Sequence, residues 1–508
     1  MRQSEHSLFR FSFSRKLLLA VVLIPCISLG IVTSRYVAAR ITDKQPQQST
    51  PLCKDCNIVL ISLDVCSAKH IPCYGYGRNT MPNLCAFAEK NQLFLNSFAN
   101  ATYTLPSRVS MFTGLFPFHH SVNIAWRDKL DGSVPLLTEV LQKNGYETVL
   151  LQEKNSSVLP LDTVYNRGNT EVNDAYTQSD IVPKIEQYAK NGKKTFISYY
   201  NADCHEPNRV GKNTIFTKDI YPQFTFEPTH GPMEFTPGFY QYLKEKVPPA
   251  LKENAFEGKT AYVKDIFDRM VASGSYEGAK AIFEREQSLP NFTVLDNMQW
   301  SYLYETFIDV SDKRQMEYFK ALYDQQLVNT DNTVIDEFIQ SLNSSKFKDN
   351  TIVLITAEHG QEFGEHGVFG HTTLYDGNIR VPFILSVPGI KPRKYLNPVQ
   401  GVDIMPTLLD LVGIQHEYAF DGVSLAPLLR QDMIPDRLII TMHGDKYRLS
   451  IRKGKWKLHV TIGNNEIIPF ELFDMLEDPE EQTNILFKNM TVATQIIEEY
   501  NLVYGFSN

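Results

Sequence analysis

Five short apolar runs separated by helical patterns constrain this chain more than any other feature of its sequence. Asn57–Leu63 (NIVLISL) is the clearest, a continuous run that stops at Asp64. Similar runs recur at 147–151, 195–200, 351–356 and 381–387. A half-exposed strand alternates apolar and polar residues, so an unbroken run reads as a strand buried on both faces. Helical periodicity fills the gaps, as at 135–144 and 322–342. Alternating strands and helices predict an α/β fold, a large and mostly parallel sheet sandwiched by helices. Sites in such folds form beyond the carboxyl ends of the strands. Asp64 and Glu358 each stand just past a predicted strand end, where a catalytic carboxylate belongs. A strand-end carboxylate is also common as a plain structural residue, so either one alone carries little.

At 508 residues the chain exceeds one small core. That length suits two to four folding units, or one large domain with appendages. Its 43% hydrophobic and 21% charged residues are ordinary for a globular protein. A formal net charge of −8 argues against nucleic acid as a partner, because phosphate backbones need clustered Lys and Arg.

The N-terminus is different. Residues 17–34 (LLLAVVLIPCISLGIVTS) carry no charge and approach the length of a membrane-spanning helix. Arg2, Arg10, Arg15 and Lys16 precede them, and Arg35 and Arg40 follow. The basic excess on the N-terminal side predicts one transmembrane helix with the rest of the chain extracytoplasmic, in a periplasm, a lumen or the exterior. A cleaved signal peptide ending near Val37-Ala38-Ala39 is the alternative. The polar stretch 42–50 reads as a stalk. The expected organisation is therefore tail, anchor and stalk (1–50), a main domain (53–415) and a smaller C-terminal α+β subdomain (416–508). Residues 208–311 break the strand–helix rhythm with Pro and aromatic clusters. They read as an insertion, either a cap over the site or structural padding.

Seven cysteines are present, one of them, Cys26, in the apolar segment. The other six are Cys53, Cys56, Cys66, Cys73, Cys85 and Cys204. Export would permit disulfides among them, with connectivity left open. No second CxxC accompanies Cys53 and Cys56, so a local disulfide or plain thiols fit better than half a zinc site.

Four segments bring unusual polar residues to strand ends. The first is Leu63-Asp64 with Cys73-Tyr74-Gly75-Tyr76. The second is Thr104-Leu105-Pro106-Ser107-Arg108 with Thr113-Gly114. The third is Asp203-Cys204-His205-Glu206-Pro207. The fourth runs from Thr356-Ala357-Glu358-His359-Gly360 to Gly370-His371. Alone, Thr104 reads as a turn or N-cap residue, Glu358-His359 as a solvated loop pair, and His205 as a turn residue. Their joint order defeats those readings.

Together the segments resemble the sulfatases of the wider alkaline-phosphatase superfamily. Members of that family carry a strand ending in Asp-Asp, a CYGY-like stretch, a Cys/Ser-x-Pro-x-Arg motif with a following TG, an HxP segment, a D-H/N-G motif and a later GH. Further matches follow at Ile379-Arg380-Val381-Pro382, Val402-Asp403-Ile404-Met405-Pro406-Thr407, Lys455-Trp456-Lys457-Leu458 and Glu471-Leu472-Phe473-Asp474. The resemblance implies an alkaline-phosphatase-like fold and a metal site of Asp64, Thr104, Glu358 and His359. It implies that Thr104 is the nucleophile, that Arg108 orients it and neutralises anionic charge, and that His205 and His371 flank the substrate's oxyanion or help a second metal. Carboxylate, imidazole and hydroxyl ligands suit Zn²⁺ or Mn²⁺ better than Ca²⁺. Asp203 with His371 is a candidate for a second metal.

The sequence also departs from the family. Thr104 stands where Cys or Ser is oxidised to formylglycine, and threonine cannot give that aldehyde. Val65 replaces the second Asp. Gln152-Glu153-Lys154-Asn155 replaces a GK-x-H segment, with Lys154 one place off. These changes point toward the family's phosphodiesterase, phosphonate hydrolase and phosphoethanolamine transferase relatives. The expected function is hydrolysis of an anionic phosphate, phosphonate or sulfate ester, on a glycan, lipid headgroup or small molecule. The alternatives are a membrane-anchored phosphoethanolamine-type transferase and a catalytically inactive binding protein.

Overall fold

The computed structural model describes residues 50–123, 128–152, 167–173, 177–205, 268–286, 308–463 and 466–504, with isolated positions between 216 and 244. The predicted anchor at 17–34, Lys154 and most of the predicted insertion lie outside the described residues. Among the described residues no helix is long and apolar enough to cross a membrane.

Among the described residues, eight strands build the central sheet. They are β1 (Asn57–Leu63), β2 (Gln92–Phe94), β3 (Tyr146–Gln152), β4 (Glu171–Asn173), β5 (Lys194–Asn201), β6 (Thr351–Thr356), β7 (Phe383–Ser386) and β8 (Arg393–Tyr395). Their order is β8-β2-β7-β6-β1-β5-β3-β4. β7 runs antiparallel to β6 and β2, and every other adjacent pair is parallel. The mostly parallel α/β sheet is thus present, with one reversed strand.

β1 lies near the middle, and all seven of its residues are buried. Its side chains alternate between two apolar layers. Ile58 and Leu60 join Phe196, Tyr200, Ile352 and Leu354 against helices Thr104–Thr113 and Ile404–Val412. Val59, Ile61 and Leu63 join Ile197, Ile355, Phe319, Leu322 and Tyr323, the last three from helix Lys313–Thr330. Each fully buried Val, Leu or Ile contributes about 1.5–3 kcal/mol. The two-residue period also sends Ser62 and Asp64 to the face that carries the Thr104 helix.

The helical pattern at 322–342 belongs to a longer element. It begins at Lys313, where the Asp312 carboxylate caps the N–H groups of Arg314 and Gln315. It widens into a π turn at Asp331–Asp336 and continues as Glu337–Ser344. At the π turn the Asp331 carboxylate accepts the N–H groups of Asn83 and Leu84, both at 2.8 Å. Those are orphan donors at the start of helix Pro82–Glu89.

The turn after β1 is strained. Val65 has φ 59°, a left-handed conformation that disfavours β-branched residues. Tyr323 clamps it from the long helix. Its hydroxyl donates to the Val65 carbonyl at 2.7 Å and accepts the Ser67 N–H at 2.9 Å.

A second, antiparallel sheet holds β9 (Ile439–Met442), β10 (Arg448–Lys453), β11 (Trp456–Gly463) and β12 (Glu466–Asp474) in that order. Helix Met490–Tyr504 packs on it through Ala493, Ile496 and Tyr500. This is the expected smaller α+β unit. A bridge between Ala101 and Met442 and a buried ion cluster around Asp376 join it to segments outside the main sheet. Lys457 Nζ lies 2.8 Å from Asp376 Oδ1 and 2.5 Å from Glu481 Oε1, and Arg452 Nη2 lies 2.5 Å from Asp376 Oδ1. Burial opposes ionisation of Asp376, but Arg452 and Lys457 outweigh it and hold the carboxyl well below the usual range. Among the described residues the disulfides are Cys53–Cys56 and Cys73–Cys85, while Cys66 and Cys204 are buried thiols.

Three outcomes are expected. Lys457→Met leaves the buried Glu481 carboxylate without its cation and Asp376 with Arg452 alone, and lowers stability by about 3–5 kcal/mol in urea denaturation. Because the folded state depresses the Asp376 pKa, its stabilisation is complete above the ordinary carboxylate value of about 4 and is lost on acidification below it. The acid limb of the stability profile should therefore flatten in Asp376→Asn. Tyr323→Phe releases the Val65 turn and should cost about 1–3 kcal/mol by the same measurement.

Candidate active site

β1, β5 and β6 are adjacent and parallel, so the segments leaving their carboxyl ends converge. Asp64 leaves β1, with its N–H bonded to the Asn201 carbonyl at the end of β5. Glu358 and His359 leave β6, and His205 follows β5. Thr104 opens helix Thr104–Thr113, and Tyr103 at the N-cap carries no side-chain cap. The helix therefore points its positive end toward the same place.

The geometry brings three of the four expected ligands into direct contact. Thr104 Oγ1 lies 3.1 Å from His359 Nε2 and 3.5 Å from Asp64 Oδ1. Asp64 Oδ1 lies 3.5 Å from His359 Nε2. These separations are close to the ~3.3 Å expected between tetrahedral ligands bound at ~2.0–2.1 Å. His359 Nδ1 faces the Gly360 carbonyl at 3.1 Å, which assigns the ring proton to Nδ1 and leaves the Nε2 lone pair toward Thr104. Burial, reinforced by His371, lowers the His359 pKa to about 3, so the ring is neutral.

Glu358 is bound differently. Its Oε2 accepts the Ser62 hydroxyl at 2.6 Å, while its buried Oε1 has no hydrogen-bond partner. Burial, followed by repulsion from Asp64, raises its pKa. Asp64 is buried too, but His205, His359, the Tyr200 hydroxyl and His371 outweigh desolvation and lower its pKa. Its Oδ2 accepts the Tyr200 hydroxyl. Among the described residues, no three His, Cys, Asp or Glu side chains converge closely enough by themselves to cage a metal ion. The tight trio is Asp64, His359 and the Thr104 hydroxyl. The orphaned Glu358 oxygen beside a second buried carboxylate is nevertheless an environment that a cation would satisfy. The residues present fit a divalent ion.

The remaining expected residues take the following places. The His371 ring stacks on His359 at 4.8 Å between centroids and meets His205 edge-on at 5.1 Å. Both are half-buried, whereas Thr104 is buried below them. The buried Arg108 guanidinium sits 4.5 Å over the Tyr200 ring, and its charge favours the Glu358 anion. Asp203 Oδ2 accepts the Asn201 side-chain amide at 3.0 Å. Sequence reasoning missed Ser62, Tyr200 and Tyr323. For Ser62 the signal was its position two residues before Asp64 on a strand. The strand register that selects Tyr200 is not written in the sequence.

Residues 56–414 match the Sulfatase family, and residues 364–501 match the family described as N-sulphoglucosamine sulphohydrolase, C-terminal. The chain is 25% identical over 464 residues to Arylsulfatase K of Gallus gallus, covering 85% of this chain and 79% of that one. It is 25% identical over 449 residues to Choline-sulfatase of Rhizobium meliloti (strain 1021), covering 84% and 82%. The structure of the phosphonate monoester hydrolase of Agrobacterium radiobacter shares the fold, with TM-score 0.58 and 18% identity over 88% of this chain and 95% of that one. With an alkaline-phosphatase-like sheet and a Sulfatase match over most of its length, the chain belongs to the sulfatase family and is a hydrolase of ester bonds.

Proposed function

We propose that this chain hydrolyses sulfate or phosphonate esters, or related phosphate esters, with the unmodified hydroxyl of Thr104 as nucleophile. The observation that carries the reading is the position of Thr104 Oγ1, within 3.1 Å of His359 Nε2 and 3.5 Å of Asp64 Oδ1, at an uncapped helix N-terminus. Relatives named for sulfate and phosphonate esters support the substrate class. Threonine carries a hydroxyl that can attack, and it cannot become an aldehyde.

Asp64, Glu358, His359 and the Thr104 hydroxyl would hold a divalent ion, Zn²⁺ or Mn²⁺, which lowers the pKa of that hydroxyl and offsets charge on the ester. The chain's own groups do the rest. The first amides of helix Thr104–Thr113 and its dipole attract the anionic group. The Arg108 guanidinium favours the Glu358 anion, against burial and the neighbouring Asp64 charge. The Thr104 hydroxyl gives its proton to solvent, its oxygen attacks sulfur or phosphorus, and the bond to the leaving oxygen breaks. His205 or His371 at the mouth donates a proton to that oxygen. The same imidazole then takes a proton from a water that attacks the threonine ester, which releases the inorganic anion or phosphonate and regenerates Thr104. The reading includes an N-terminal membrane anchor at 17–34 that places the site outside the cytoplasm.

Thr104→Ala should lower turnover roughly 10,000-fold or more with the fold intact by circular dichroism. Thr104→Ser should retain measurable activity. Both are assayed on aryl sulfate, aryl phosphate and phosphonate monoester panels, with chelator-treated and metal-restored enzyme. Acid quench of the wild type during turnover should leave a sulfo- or phosphothreonine on the peptide ending at Arg108. Wild-type turnover by Thr104→Ala would end the proposal.

A further inference from the structure

We propose that Ser62 and Tyr200 are positioning residues that leave Glu358 and Asp64 one open oxygen each and thereby set which cation the site accepts. The inference rests on the metal-dependent reading above. It begins with strand register. Ser62 on β1 lies opposite Tyr200 on β5 and Thr356 on β6. Asp64 and Glu358 stand two residues beyond this row, one strand apart. In a sheet, positions two apart share a face. The row at Ser62 is therefore the floor beneath the two carboxylates.

The floor ties them crosswise. The Ser62 hydroxyl on β1 donates to Glu358 Oε2, beyond β6, at 2.6 Å. The Tyr200 hydroxyl on β5 donates to Asp64 Oδ2, beyond β1. Ser62 and Tyr200 are both fully buried, 0% exposed, so neither donor has water as an alternative. The Arg108 guanidinium over the Tyr200 ring also restrains its motion. His359 is tied in the same manner, through Nδ1 and the Gly360 carbonyl. Each of these three residues thus has one polar atom engaged by the scaffold and one free of it: Asp64 Oδ1 and His359 Nε2, which face the Thr104 hydroxyl, and Glu358 Oε1, which has no hydrogen-bond partner.

That division has a consequence for the ion. Ca²⁺ fills six to eight positions with oxygen and commonly takes carboxylates in bidentate fashion. Here the second oxygen of each carboxylate is already hydrogen-bonded, so bidentate binding must break a buried bond. A smaller ion needs one oxygen from each carboxylate together with the imidazole and the hydroxyl, which suits four-coordinate Zn²⁺. Hydrogen bonds of this kind hold ligands in their binding orientation, and their loss typically weakens metal affinity about 10–100-fold.

The test is metal titration of the chelator-stripped full chain with Zn²⁺, Mn²⁺ and Ca²⁺ separately, by calorimetry or chelator competition. Wild type, Tyr200→Phe and Ser62→Ala are compared, with circular dichroism as the control for folding. The expected result is Zn²⁺ or Mn²⁺ binding roughly 10–100-fold weaker in both variants, with a smaller preference over Ca²⁺. Loss of folding alone does not shift ion preference. In kinetics, kcat should fall more than KM rises. Wild-type affinities and ion preference in both folded variants overturn the positioning role and leave the metal-dependent reading standing. A wild type that binds none of the three ions overturns both. If Tyr200→Phe does not fold, Ser62→Ala, the smaller change, decides alone.

Discussion

Two carboxylates, Asp64 and Glu358, stand buried at the ends of neighbouring parallel strands, and the site is arranged to make that tolerable. An ionised carboxylate loses several kcal/mol of solvation on burial, and a like charge beside it adds to the cost. Each group visible around them answers part of that cost. Tyr200 and Ser62 donate hydroxyl hydrogen bonds, and Arg108 contributes charge toward Glu358. One oxygen of Glu358 is left unanswered. A fold that served only its own stability would bury leucine here. Retaining the pair makes sense for binding something positive.

The strained turn at Val65 belongs to the same problem. Strain of this kind persists only when the surroundings over-determine it. Tyr323 supplies both a donor and an acceptor to the turn, and it does so from helix Lys313–Thr330 on the opposite face of the sheet from Thr104. The orientation of Asp64 is therefore set from three directions: the β1 backbone, the β5 side chain of Tyr200 and the long helix behind the sheet. The His70–Asp324 pair at 2.7 Å and the Tyr76–Asp324 bond at 2.6 Å tie the next loop to that same helix. The long helix acts as the back plate of the site.

What the sequence made legible follows from the range of each interaction. Strands β1 and β6 coincide with their apolar runs, because burial on both faces leaves a local signature. The run at 381–387 was recognised as a strand, but its reversed direction depends on which neighbours it meets. The long helix was recognised only from Leu322, since its first turns carry Lys313, Arg314, Gln315 and Glu317 and show little apolar periodicity. Asp64, Thr104, Glu358, His359, His205 and His371 were legible as motifs. Ser62 and Tyr200 were not, because both sit inside apolar runs and gain their partners only through register. Arg108 was legible as a charged residue of the nucleophile motif. Its place over Tyr200 required the packing of the helix on the sheet.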